Sequence, residues 1–192
     1  MKDLALAVFV SAVALVQPSA TITDPDAYAV YNAVVPSDSL VREAHATEVL
    51  IQDTTVGDSP FFKRCVPSGP DMKGPWEEAL NDFKGQLTTA KRLDRQFSLP
   101  VAYRLEPKDT IRSFFIVPGV MGWPAFHAAY PNAHGFLELS AVGFDKTRER
   151  AIVYMAHSCG GLCGQGGYHF LERQADGWAA VRPNVNVCMW AS

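Results

Sequence analysis

Hydrophobic positions change period along the chain, and the change separates a helical front half from a strand-rich back half. Asp24-Pro25 reads as an N-cap followed by proline at the first helical position. Tyr28, Tyr31, Val34 and Val35 then fall on one helical face, and Pro36 ends the segment. Residues 47–56 are rich in β-branched side chains and predict a strand around Val49-Leu50-Ile51. Glycines and prolines break any pattern over 57–75, which is expected to be a loop. A second helix is expected from Pro75. Trp76, Leu80 and Phe83 share its apolar face, and Glu77, Glu78 and Asp82 lie early, where the helix dipole favours acids.

From Phe97 the period becomes two. Phe97, Leu99, Val101, Tyr103 and Leu105 alternate with smaller or polar residues and predict a half-buried strand, which Pro100 assigns to a sheet edge. Residues 123–130 read as a short helix stopping before Pro131. The remaining pattern is a meander, with strands over 136–142, 150–157, 168–173 and 178–181 and a further one over 185–190. A Gly-rich link over 159–167 is read as a tight turn whose glycines need positive φ. Strands joined by short turns pair antiparallel. The expected fold class is therefore α+β, with N-terminal helices packed on a C-terminal antiparallel β-meander.

Composition adds compartment. The chain has 192 residues and is 48% hydrophobic, within the range of one folded domain. Leu4 to Val16 is almost wholly apolar, follows Lys2, and ends in Gln17-Pro18-Ser19-Ala20. This reads as a signal peptide over residues 1–20, leaving a single α+β domain over 21–192. The apolar run is shorter than a spanning helix, so no stable membrane span is expected after leader removal. The expected localisation is export, periplasmic or extracellular. The net charge of −3 argues against nucleic acid as a partner, which needs a concentrated basic face. Four cysteines in an exported chain point to disulfides. Of three possible pairings, Cys159–Cys163 and Cys65–Cys188 is preferred, because Cys159-Gly160-Gly161-Leu162-Cys163 can curl into a small ring.

The C-terminal half resembles a group of uncharacterised exported bacterial proteins. The residues that carry the resemblance are Tyr130-Pro131, Ser140-Ala141-Val142-Gly143-Phe144, Ala151, Tyr154, Cys159-Gly160-Gly161-Leu162-Cys163-Gly164, Gly166, Tyr168, Leu171, Trp178 and Trp190. The resemblance extends more weakly to about residue 75. It implies export and a shared fold, and no particular activity.

Three groups of residues have chemical potential. Trp123, Tyr130 and His134 are the candidate binding residues, because aromatic walls with a few polar groups are typical of ligand grooves. His157, Cys159, Cys163 and His169 contain zinc-type donors, but their spacing matches no usual zinc motif and a disulfide would remove both thiolates, so neither metal nor cofactor is expected. Ser140, His134, His157 and Glu138 supply residue types for hydrolysis without a nucleophile elbow. Glu138 and Ser140 are expected on the solvent face of an antiparallel sheet. The leading expectation is an exported non-enzymatic domain that binds a small molecule, an envelope component or a protein partner. The alternative is a small exported hydrolase using a Ser/His/Glu arrangement.

Overall fold

The computed structural model describes residues 20–38, 41–42, 47–116 and 122–192. The expected signal peptide lies outside them except for Ala20.

Asp24 caps helix α1 (Pro25–Val34) by accepting the Asp26 amide at 3.0 Å, and a short 3-10 turn, Val35–Ser37, follows. Then come β1 (Glu48–Gln52), α2 (Pro60–Arg64), α3 (Pro75–Gln86), β2 (Ala102–Glu106), α4 (Lys108–Ile116) and α5 (Trp123–Ala129). The back half is β3 (Ala133–Leu139), β4 (Gly143–Phe144), β5 (Arg150–Gly160), β6 (Cys163–Gln174), β7 (Gly177–Val181) and β8 (Trp190–Ala191). The fold class is α+β, as the change of period indicates.

These strands form one sheet in the order β2-β1-β3-β5-β6-β7, with β4 paired to β5 and β8 to β6. From β3 to β7 the pairing is antiparallel. The two strands expected in the front half join the same sheet, but in parallel rather than antiparallel pairing: β1 lies parallel to both β2 and β3. Strand β2 is outermost, in keeping with Pro100 just before it, although only residues 102–106 pair. Phe97 and Leu99 still pack on the core, so the two-residue period marks a buried face more widely than it marks a ladder.

Both faces of the sheet are covered. On one, Ala151, Val153, Met155 and Leu171 pack with Tyr28, Tyr31 and Val34 of α1. On the other, Ile152, Tyr154, Tyr168 and Phe170 pack with Trp76, Leu80 and Phe83 of α3 and with Phe62 of α2. Leu50 and Phe136 carry that second face onto Phe126 and Tyr130, at α5 and its C-cap. Specific bonds fix the helices. The Tyr31 hydroxyl donates to the Ser140 carbonyl at 2.9 Å, and Asp82 accepts the Phe144 amide at 2.9 Å. Arg148 donates to Asp24 at 2.6 Å and Asp26 at 2.8 Å, tying the start of α1 to the β4–β5 turn.

Several expectations change. Two helices have no counterpart in the hydrophobic pattern, because α2 is only five residues long and α4 buries only Ile111. The Gly-rich link is mostly strand: β5 runs to Gly160 and β6 starts at Cys163. None of Gly160, Gly161, Gly164, Gly166 or Gly167 has positive φ. Gly166 is needed for a different reason, since a Cβ there would lie 2.6 Å from the Tyr154 hydroxyl and would overlap the Trp190 indole nitrogen. Most of the segment 185–190 stays outside the sheet: Asn186 pairs with Ser68, and only Trp190 and Ala191 join β6. Glu138 and Ser140 do not face solvent. Ser140 is buried and Glu138 half-buried, because α2 and α3 cover the face that an isolated meander would leave wet.

Both disulfides form as preferred, Cys65–Cys188 with Cα atoms 5.3 Å apart and Cys159–Cys163 with 5.1 Å. The first ties the end of α2 to the C-terminal segment across 123 residues. In the chain-entropy model a loop of that size contributes up to about 4–5 kcal/mol.

Helix α3 lies directly on β4. A Cβ on Gly143 would sit 2.5 Å from the Ala79 carbonyl oxygen and 2.5 Å from the Phe83 Cα. Gly143→Ala therefore pushes the helix off the sheet, with an expected cost of about 1–3 kcal/mol. Urea unfolding of the variant measures it; an unchanged midpoint would show that α3 does not pack as described.

Candidate functional site

The 3-10 turn after α1 delivers Asp38 onto the sheet face that carries His157, Gln165 and His169. Register explains the grouping: His157 pairs with Gln165 and Val153 with His169, and alternate residues share a face. Asp38 Oδ1 lies 3.2 Å from His157 Nδ1 and accepts the Val41 amide at 3.1 Å; Oδ2 accepts from Gln165 Nε2 at 3.1 Å. Asp38 and His157 are 6% and 3% exposed, so both are out of bulk water. Burial alone would raise the Asp38 carboxyl, but His157, Gln165 and the Val41 amide together hold it below the usual carboxylate range. Asp38 thus remains an anion inside the protein. Burial pushes the His169 imidazole down despite the nearby Asp38 charge.

A cleft of about 440 Å³ opens beside this cluster. Its polar wall is Asp38, Gln165 and His169, and its apolar wall includes Met155, Met189 and Ala191. Gly167 forms part of the floor and leaves room for the Met189 side chain above it, while Gly166 leaves room for the Trp190 ring on the opposite face, against the Tyr154 hydroxyl. Both volume and lining fall within the ordinary range of small-molecule sites.

The three binding residues read from the sequence do not converge there. Trp123 stacks on Phe136 at 5.9 Å and on His127 at 5.6 Å between ring centroids. Tyr130 packs against Phe126 in the same aromatic cluster, 7% exposed, and burial followed by the Glu106 carboxylate pushes its hydroxyl up. His134 is turned away from them. Two residues of β3, His134 and Gly135, stand opposite Val49 alone, and this bulge carries His134 toward His157, with ring centroids 6.1 Å apart. Gly135 permits it: φ is +133°, and a Cβ would lie 2.8 Å from the Cys159 Cα. Nδ1 of His134 is buried with no hydrogen-bond partner among the described residues. Burial, then the neighbouring His157 and His127, hold its imidazole below the ordinary histidine value.

His134 therefore sits at the Cys159–Cys163 disulfide. One of its ring nitrogens and both sulfurs lie within 4.8 Å of one another. His127 Nε2 is 3.1 Å from the Cys159 carbonyl oxygen. The histidines gathered at the disulfide are thus His134 and His127, while His169 of the sequence cluster faces the cleft. The hydrolytic set does not assemble. The Ser140 hydroxyl donates to the Ala141 carbonyl at 2.8 Å and accepts the Tyr154 amide at 2.8 Å, which occupies it in backbone bonding. Glu138 lies on the opposite face from His157, and burial raises its carboxyl.

Sequence patterning did not mark Asp38, Gln165 or Met189. Asp38 follows the 3-10 turn and lies 119 positions from His157. Only the period-two relation of His157 to its neighbours hints that it points inward among Val153 and Met155.

Removing the Asp38 carboxylate takes an acceptor away from Gln165 and from the Val41 amide and removes the carboxylate that faces His157. Asp38→Ala is expected to cost about 3 kcal/mol, at the level of breaking a buried polar pair. Chemical denaturation of the two proteins at pH 7 checks this, and a cost under 1 kcal/mol would remove the cluster from the core of the fold. Acid gives a second expectation. His134 and His169 have depressed folded values, so the stability they give is complete above the unfolded histidine value of about 6.5 and is lost as pH falls through the folded values. Melting temperature should fall between pH 7.5 and pH 5, and His134→Gln with His169→Gln should flatten that slope.

No family model, curated protein or solved structure matches the chain, so its functional reading rests on the geometry of this site.

Proposed function

We propose that the chain is an exported binding domain that holds a small amphipathic molecule in the cleft between the 3-10 turn and β6. The observation that carries this reading is the cleft itself: about 440 Å³, walled by Met155 and Met189 on one side and by Asp38, Gln165 and His169 on the other, with Asp38 and Gln165 held by the bonds that also engage His157. Among the described residues Asp38 is the one charged residue lining it, and it is held ionised. The chemistry therefore selects a neutral or cationic ligand with an apolar body and a hydrogen-bonding head. An anionic head would meet a buried carboxylate in a low-dielectric wall. Met189 suits an adaptable apolar contact, since its thioether side chain is flexible and polarizable. His169, uncharged at neutral pH, can either donate or accept toward the head group.

One feature of the structure supports export: both cysteine pairs are disulfide-bonded. The apolar leader and the resemblance of the C-terminal half to exported bacterial proteins point the same way.

Two measurements test this reading. Intact mass of the protein recovered from the exported fraction should lack the leader and show no alkylated thiol without reductant. Four reactive thiols would overturn the compartment. For the cleft, matched alkyl ligands carrying ammonium, amide or carboxylate heads are compared by thermal shift. The first two should raise Tm, by roughly 2–4 °C per kcal/mol of binding in a chain of this size, and the carboxylate should not. His169→Ala and Met189→Ala should each weaken the response. A preference for the carboxylate, or variants that respond like the parent, would place the ligand elsewhere.

A further inference from the structure

We propose that Cys159, Cys163 and His134 form a zinc-class metal site that opens only when the Cys159–Cys163 disulfide is reduced. Both sulfurs and one His134 ring nitrogen already lie within 4.8 Å of one another. Two thiolates and an imidazole are the donor set of borderline-soft cations, and three protein ligands leave a fourth position for water. A second observation points to the same place. His134 carries a buried nitrogen without a hydrogen-bond partner among the described residues, although the bulge at Gly135 brings the side chain to the disulfide.

The arrangement survives loss of the S–S bond because the backbone maintains it. Strands β5 and β6 pair from Arg150–Glu172 to Gly160–Cys163, so the hairpin holds the two cysteines together by itself. The turn between them is accessible, with Leu162 at its tip 92% exposed. Cys163 is half-buried and Cys159 is 5% exposed, which makes Cys163 the sulfur open to attack.

The reductant is a dithiol. Its thiolate bonds to Cys163 Sγ, the Sγ–Sγ bond breaks, and the electron pair leaves on Cys159. The second thiolate then attacks the first dithiol sulfur and releases Cys163. The dithiol becomes a disulfide, two electrons pass to the cysteine pair, and the two protons carried by the thiols go to solvent when the cation binds.

The test is anaerobic titration of the dithiol-reduced full chain with Co²⁺ and then Zn²⁺, with the oxidised chain in parallel. The reduced chain should bind one cobalt with thiolate-to-metal charge-transfer absorption, which zinc abolishes, and the oxidised chain should give no such band. His134→Ala should weaken binding at least tenfold, on the scale of losing a ligand interaction. Zinc should protect Cys159 and Cys163, and not Cys65 and Cys188, from alkylation mapped by peptide mass. That mapping reads the wild-type chain and needs no variant to fold. No charge-transfer band, affinity unchanged in His134→Ala, or protection of Cys65 and Cys188 instead would overturn the site.

Discussion

The burial of β5 on both faces governs this structure. Seven successive residues, 151–157, are buried, and β6 beside it is buried over much of its length. A strand of that kind cannot lie at a wet surface, so the sheet needs apolar cover on each side. Helix α1 supplies one layer, and α2 and α3 the other. Fully burying each large apolar side chain along these strands gains about 1.5–3 kcal/mol, and the two interleaved sets of β5 residues divide that gain between the layers.

Polar groups caught between the layers must be satisfied, and this shapes the site. His157 belongs to the same run of β5 as Val153 and Met155 and has no access to bulk water. Asp38 meets it at the end of the first helical segment, and Gln165 on β6 takes the second carboxylate oxygen. A buried polar cluster of this kind is costly unless its members are paired, and once paired it fixes geometry. Here it fixes where the chain leaves the α1 layer, and therefore where the cleft opens. Gly167 of β6 completes the cleft by leaving room above the strand for Met189.

The two disulfides have different physical roles. Cys65–Cys188 closes a long loop and ties a short helix, which has little core of its own, to the chain terminus. Cys159–Cys163 closes a five-residue ring across a hairpin that is already paired. Loop-closure entropy grows with loop length, so the first restrains the unfolded chain more. The second adds less to stability, and although Cys159 is buried, the turn that it closes is exposed at Leu162. Its neighbours are histidines, whereas Cys65 lies in an aromatic setting, where its carbonyl accepts from the Tyr168 hydroxyl.

Local pattern alone determined the elements with strong start signals or clear periods. The cap at Asp24-Pro25, the helix from Pro75, the short helix before Pro131, the edge position next to Pro100 and the later meander all follow from short-range sterics and side-chain periodicity. The cysteine pairing was legible because a ring of five residues can close locally and leaves one other pair. What surrounds the sheet was not legible in this way. An unbroken apolar run such as Ala-Ile-Val-Tyr-Met-Ala shows that both faces are buried, but it does not say which helix covers which face. Glu138 and Ser140 were expected in solvent for that reason. His134 changed its neighbours through one bulge, and Asp38 reached His157 from 119 positions away. Such contacts depend on long-range packing and strand register, which no local window of sequence encodes, so the cleft and the histidines at the disulfide were decided by the tertiary structure alone.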